Sequence, residues 1–329
     1  MCRAYGSPEV VTVDDLEPPP LAAGQARVRV DAAAVNYPDV LLVAGEYQVR
    51  VPPPFVPGSE LAGEVVEVAD DVTAPRVGER VFGSTMVGAF AEEAVVAATS
   101  LTPVPDGVEG AVAAAFGVAH RTAYHVLRSV AAVQPGEELV VLGAGGGVGL
   151  AAVQLGAVLG ATVTAVASSP EKLAAASACG ATRTVDHRAG DLRLALRAAL
   201  PDGADVVVDP VGGDLAEPAL RRLRYGGRFV TVGYASGRIP AIPLNLVLLK
   251  GVRVLGFQFL DFVTHEPERH RRDEEELLGL LAAGRAAPHI GARFPLDDTA
   301  AALRHVADGR AIGKVVIDVR PAAARPGGA

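Results

Sequence analysis

The sequence predicts an α/β chain: an irregular, β-rich first domain followed by a doubly wound parallel sheet. Three observations lead there. Residues 137–160, EELVVLGAGGGVGLAAVQLGAVLG, read as strand, glycine turn and helix. Strand and helix patterns then alternate as far as Val232, the mark of a parallel sheet covered on both faces. Residues 8–100 instead carry short alternating segments broken by Pro and Gly, which is turn chemistry between short strands. With 329 residues, two domains are expected rather than one.

In chain order, strands are expected at Val10 to Val13, Ala26 to Ala32, Gly63 to Ala69 and Ala91 to Ala97. Among them lies VNYPDVLLVAGEY (35–47), which sets Asn36, Tyr37, Asp39 and Tyr47 beside apolar neighbours. Tyr37 and Asp39 read as loop hydrogen bonding; Asn36 and Tyr47 read equally as loop or site residues. Glu109 to His125 is alanine-rich and helical, and leads into the apolar run Leu139 to Leu142, a strand buried on both faces. Gly143, Gly146 and Gly149 set a GxxGxxG frame rather than GxGxxG, and the next helix ends at Gly160. Glycine backbone can turn sharply and approach a pyrophosphate, and a helix start offers free N–H groups.

Further units follow: strand Ala161 to Ala167, a helix capped by Ser and Pro170 and ending at Cys179, strand Thr182 to Val185, and helix Leu192 to Leu200. Then come strand Ala204 to Asp209, helix Leu215 to Leu223, strand Arg228 to Val232, the turn 233–237, and Arg253 to Phe259, read as a strand at the sheet edge. Glu266 to Glu276 reads as a solvated helix start, Leu277 to Ala283 and Thr299 to Ala307 as helices, Lys314 to Val319 as a closing strand, and the tail RPAAARPGGA as disordered.

The totals exclude several classes. A net charge of −8 argues against a nucleic-acid surface. Cys2 and Cys179 are the only cysteines, too few for a disulfide framework or a thiolate zinc site, and two free thiols fit a reducing cytosol. No signal peptide or membrane-spanning run is evident. Arg outnumbers Lys 27 to 3, so each lysine's position carries weight.

One lysine falls where nucleotide choice is made. An NAD site usually has a carboxylate at the end of the second strand, on the ribose 2′-OH. Here Ala165-Val166-Ala167 ends in Ser168-Ser169, and Lys172 follows. Hydroxyls and a cation suit a 2′-phosphate. The same residues also read as a helix cap and an exposed helix lysine, and Glu171 stands between them.

Taken with VNYPDVLLVAGEY, PFVPGSELAGEVVEV, VGERVFG, GAFAEEAVV, LTPVPDGV, TAYHVL, ASSPEKL, VVVDPVGG, GGRFVTVGYASG, IPLNLVLLKG and GKVVI, the chain resembles the zinc-free medium-chain dehydrogenase/reductases. It is most similar to the NADPH:quinone oxidoreductases of the zeta-crystallin type, through nearly its whole length. The resemblance implies a GroES-like catalytic domain (1–115, completed by 261–329), a Rossmann NADPH-binding domain (116–260), a cleft between them, and a homodimer joined near Arg253 to Phe259. It implies that the chain begins about five residues late, which clips the first strand.

By the resemblance, Asn36 is the nicotinamide-side Asn, Tyr47 the cleft Tyr and Thr122 the Thr of the inter-domain helix. Gly146, Gly147, Val148 and Gly149 form the pyrophosphate loop; Ser168 and Lys172 lie at the 2′-phosphate, with Ser169 and His187 as further cofactor-binding candidates. Gly233, Tyr234 and Ser236 lie at the nicotinamide ribose, and Arg310 reaches the cofactor. His187-Arg188 stands where the family often has Tyr-Arg. Gly143 and Gly145 replace usual alanines, which is expected to loosen the turn. Asn36 and Ser59 occupy the positions of a Cys and a His that hold zinc in zinc-dependent relatives, so no metal is expected there.

The function expected is a cytoplasmic NADPH-dependent oxidoreductase that passes hydride to a quinone or enone, with Asn36 and Tyr47 at the reacting end. An enoyl or alkenal reductase, or a non-catalytic NADPH-binding protein, are the alternatives. No nucleic-acid or membrane partner is expected.

Overall fold

The computed structural model describes residues 1–320. The chain forms two compact units, Met1–Val118 with the C-terminal segment from Ile290, and Ala119–His289.

The first unit contains β1 (Gln25–Val35), α1 (Tyr37–Ala44), β2 (Glu60–Val68), β3 (Arg80–Ser84), β4 (Glu93–Ala97), β5 (Leu101–Pro103) and the start of α2 (Gly110–His125). The second unit carries the rest of α2, then β6 (Glu138–Leu142), α3 (Gly147–Val158), β7 (Thr162–Ala167), α4 (Pro170–Ala178), β8 (Arg183–Asp186) and α5 (Leu192–Ala199). It continues with β9 (Ala204–Asp209), α6 (Ala216–Arg222), β10 (Leu223–Thr231), α7 (Leu244–Lys250), β11 (Arg253–Gly256), α8 (Phe259–His265) and α9 (Pro267–Ala282). β12 (Ile290–Pro295), α10 (Thr299–Ala307) and β13 (Lys314–Asp318) return to the first unit.

The first unit's sheet runs β12-β13-β1-β2-β3-β5, with β4 also on β1. Burial along β1 explains its central place. Its first half alternates, one face inward, and pairs with β2 and β4. Its last four residues are all buried, where β13 pairs Ala32 with Asp318 through Val35 with Val315. The core there is Val28, Val30, Leu61, Val65, Phe90, Leu303 and Ile317 with their neighbours.

The second unit is a parallel sheet in the order β11-β10-β9-β6-β7-β8. β6 and β9 are buried throughout apart from one partly exposed residue each, as strands covered by helices on both faces should be. Strand order reverses between β6 and β9, the place where open parallel sheets bind ligands at the carboxyl ends of their strands.

Several expectations need correcting. Val10 to Val13 is not a strand. Pro8 opens a short 3₁₀ turn in which the Val10 N–H bonds the Ser7 carbonyl at 3.0 Å, leaving only an isolated bridge from Val11 to Cys2. The edge strand stops at Gly256, because Gln258 caps α8 by accepting the Asp261 N–H at 2.6 Å. α9 (Pro267–Ala282) is one helix whose charged half is not simply solvated. Asp273 is fully buried, Glu274 pairs with Arg121 at 2.7 Å, and Glu276 accepts from Tyr124 at 2.8 Å and Arg128 at 2.9 Å. These contacts place residues 261–289 with the nucleotide-type sheet, not with the first unit as expected, and the division within α2 falls at Val118 rather than at residue 115. β3, β5, β12, α1 and α7 were not anticipated. Residues 321–329 of the tail lie outside the described residues.

Candidate active site

In the second unit, three turns meet at the carboxyl ends of β6, β9 and β10. The first is the glycine turn. Gly143 has φ +60, and a Cβ there would stand 2.4 Å from Val211 Cγ2. A Cβ on Gly149 would stand 2.0 Å from the Gly143 carbonyl oxygen. A Cβ on Gly145 would stand 2.5 Å from Lys172 Cγ. The expectation that Gly143 and Gly145 loosen the turn is therefore reversed: both are close approaches that a side chain would obstruct. Gly146 is the N-cap of α3 and has no side chain, so the first N–H groups, on Gly147, Val148 and Gly149, are left to an anion.

The second and third turns are Pro210 to Gly213 and Gly233 to Gly237. Asp209 is fully buried; its Oδ1 accepts the N–H groups of Val211 at 2.9 Å and Gly212 at 2.8 Å. Burial raises its carboxyl pKa, and those two N–H bonds oppose the rise. The Ser236 N–H bonds the Val211 carbonyl at 3.0 Å, and a Cβ on Gly212 would stand 2.8 Å from Tyr234 Cδ1. Gly233, Tyr234 and Ser236 thus dock on the turn that touches Gly143.

Lys172 links this cradle to the end of β7. Its stem lies against Gly145, and its own N–H bonds Ser169 Oγ at 3.4 Å, so Ser169 is the cap of α4. β7 and β8 pair up to Ala167 and Asp186, which carries His187 and Arg188 to the same end as Ser168. Burial, then Arg188, lower the Lys172 ammonium pKa; burial and Arg188 also lower that of His187. Two carboxylates lie nearby: Glu171, next to Lys172 in sequence, with its own pKa lowered first by a hydrogen bond with Ser169, and Asp186, which accepts the Arg188 N–H at 2.8 Å. A half-buried cation beside a second cation, next to serine hydroxyls, suits a phosphate dianion. Thr122 is partly exposed on α2.

In the first unit, Asn36 sits at the N-cap of α1, held between two buried charges. Its Nδ2 donates to Glu60 Oε2 at 3.0 Å, and its Oδ1 accepts from Lys314 Nζ. Lys314 also donates to Glu60 Oε2 at 2.9 Å, and Glu60 Oε1 accepts the Val118 N–H at 2.6 Å. Glu60 and Lys314 are 0% and 3% exposed. The two charges fix the amide: reversing it would face its NH₂ to an ammonium and its oxygen to a carboxylate. Asp39 is fully buried beneath, accepting the Asn36 N–H at 2.7 Å, and burial pushes its carboxyl up to about 6. Its Oδ1 has no hydrogen-bond partner. Tyr47 is half-buried beyond α1, and Arg310 is exposed, paired with Asp308 at 3.3 Å.

Glu60, Lys314 and Asp209 were missed from sequence, and Asp39 was read as loop hydrogen bonding. The signals were there: a lysine among only three, and a carboxylate in the otherwise apolar run opening β2.

Two family models match the chain: "Alcohol dehydrogenase GroES-like domain" over residues 22–106 and "Zinc-binding dehydrogenase" over residues 147–282. Zinc does not fit the Asn36 position. Its neighbours are an amide, the Ser59 hydroxyl, and a carboxylate already paired with an ammonium that would repel a metal ion. The chain is 37% identical to a quinone oxidoreductase-like protein 2 homolog from Nematostella vectensis, over 97% of this chain and 88% of that one. It is 34% identical to a quinone oxidoreductase from Pseudomonas aeruginosa, over 95% and 97%. The crystal structure of the Escherichia coli quinone oxidoreductase complexed with NADPH superposes with a TM-score of 0.87 at 27% identity, covering 96% of this chain and 98% of that one. With its GroES-like first unit, its parallel-sheet second unit and these relatives, the chain belongs to the quinone oxidoreductases of the medium-chain dehydrogenase/reductase family.

Proposed function

We propose that this oxidoreductase uses NADPH to reduce a quinone, or a similarly electrophilic enone, without a catalytic metal. The observation that carries the reading is the Lys172 stem lying on Gly145, which joins the pyrophosphate turn to the cationic end of β7. NADPH, when bound, supplies a hydride from its nicotinamide ring.

The chain's own groups bind and orient. Gly146, Gly147, Val148 and Gly149 present backbone N–H groups to the pyrophosphate. Ser168 and Lys172, with Ser169 and His187 alongside, receive the 2′-phosphate, and no carboxylate stands at the end of β7 to favour a free 2′-OH. Gly233, Tyr234 and Ser236 border the nicotinamide ribose, and Thr122 and Arg310 complete the cofactor's contacts. Asn36, its amide direction fixed by Glu60 and Lys314, orients the reacting end. An acceptor that is already electrophilic needs no Lewis acid. The oxyanion formed on reduction takes a proton from Tyr47 or from water.

We also propose a homodimer. β11 is the sheet's edge, and Val254 on it is exposed, as are Leu244, Leu248 and Leu249 of α7 just before it. An open apolar edge invites pairing. No helix among the described residues is long and apolar enough to cross a membrane. The two free thiols support a reducing compartment such as the cytoplasm.

The test is NADPH oxidation by the purified chain against a panel of quinones and 2-alkenals, with and without a chelator. Chelator-insensitive turnover of quinones supports the proposal. Turnover of 2-alkenals alone makes the chain a carbon–carbon double-bond reductase, and turnover abolished by the chelator refutes the metal-free reading.

A further inference from the structure

A second cluster lies within the second unit, on elements that carry none of the cofactor turns. His125 ends α2 and is fully buried; His270 and Glu274 stand four residues apart on α9, on one helix face. One ligand-type atom from each of the three lies within 4.8 Å of the others. His125 Nδ1 lies 3.1 Å from Asp273 Oδ2, and Asp273 is itself held by Ser129 Oγ at 2.6 Å and by Arg272. That carboxylate accepts a hydrogen bond from Nδ1–H of His125, so in the neutral ring Nε2 carries the lone pair and points away from Asp273.

His125 Nε2 faces His270 Nδ1 at 3.3 Å and Glu274 Oε1 at 3.2 Å. Glu274 Oε1 is buried against His125 Nε2, while its other oxygen pairs with Arg121 at 2.7 Å. So two imidazole nitrogens and a carboxylate oxygen converge, and a proton on His125 Nε2 can serve only one of its two neighbours. Bonds of about 2.0–2.1 Å to a tetrahedral zinc place neighbouring ligand atoms about 3.3 Å apart, which is the spacing of both measured edges. A carboxylate behind a ligating imidazole is the usual support of a metal-bound histidine. Phe257, Phe259 and Phe262 ring His125, with the Phe262 ring centroid at 4.9 Å, and give the site an apolar wall. The cysteine count that rules out a thiolate site has no bearing on this donor set.

We propose that His125, His270 and Glu274 bind one divalent cation of the zinc class, with water in the open fourth position, pinning α9 to the end of α2. Two imidazoles and one carboxylate suit Zn²⁺ and its borderline neighbours rather than Mg²⁺ or Ca²⁺. The three ligands lie on α2 and α9, outside the glycine turn and the turns after β9 and β10, so the ion stabilises the chain without taking part in turnover.

The test uses the full chain, stripped of metal and titrated with Co²⁺ and Zn²⁺. The expected result is one Co²⁺ per chain with the visible bands of a low-coordinate site, and a Zn²⁺-dependent rise in Tm. His270→Ala should weaken Co²⁺ at least about tenfold and abolish the Tm rise, with its far-UV circular dichroism and NADPH affinity unchanged. Should His270→Ala fail to fold, Glu274→Gln keeps the shape and removes the anionic ligand, with the same expected loss. His289→Ala, at an exposed histidine, should leave binding intact. No Co²⁺ bound by the parent, or equal affinity in the parent and in the folded ligand variant, overturns the proposal.

Discussion

Lys172→Met is the sharpest probe of cofactor choice, because it removes the charge and keeps the stem that lies on Gly145. Lys172→Ala would remove both and open the glycine turn, so it cannot separate the two roles. The parent ammonium is disfavoured by burial and by Arg188, and an arriving phosphate dianion relieves both penalties. A charge-assisted contact of this kind is worth about 1.5–3 kcal/mol, and Arg188 retains part of the field, so the lower end applies. That is roughly a ten- to thirtyfold rise in the NADPH dissociation constant. NADH has no 2′-phosphate, and its affinity should change less than about twofold, within the scatter of a surface substitution. Cofactor fluorescence titration of parent and variant measures both constants. A parent that binds NADPH and NADH equally, or a variant that loses both cofactors alike, would refute the assignment of Lys172 to the phosphate.

Three further outcomes are expected. Lys314→Met leaves the Glu60 carboxylate buried without its cation and should cost about 3–5 kcal/mol in denaturant unfolding, much of it recovered by adding Glu60→Gln; a cost under 1 kcal/mol would show that the pair is not buried as described. Asp39 titrates at about 6 in the folded chain against an ordinary 3.8, so the folded state holds its proton more tightly. Its contribution is therefore complete below the ordinary value, declines as pH rises towards 6, and is lost above it, by about 3 kcal/mol in all. Asp39→Asn should lack that decline, and parallel stability–pH curves for parent and variant would contradict it. Leu255→Arg sets like charges near a two-fold axis at β11 and should convert a dimer to monomer or aggregate; a parent that sediments as a monomer at micromolar concentration removes the interface.

What the chain reveals before folding, and what it hides, divides along a physical line. The glycine turn is legible because its demands are local: Gly149 must be bare because Gly143, six residues earlier, passes over it. β6 and β9 are legible because burial on both faces leaves an unbroken apolar run. Ser169 as a cap and Lys172 beside it follow from a single turn of helix. A charge is different, since its environment is set by whatever faces it. Glu60 and Lys314 meet across 254 residues, and neither neighbourhood announces the other. The run from Glu266 to Glu276 reads as solvated for the same reason. Only the partners on and just after α2 make Asp273 a buried residue and Glu274 the partner of Arg121 and His125. The scarcity of lysine was the one compositional lead to such a pair, because a chain that uses arginine almost everywhere retains lysine at few positions. Two of the three, Lys172 and Lys314, stand where a compact point charge on a flexible stem is required: one reaching past a bare glycine, the other filling the space between an amide and a carboxylate.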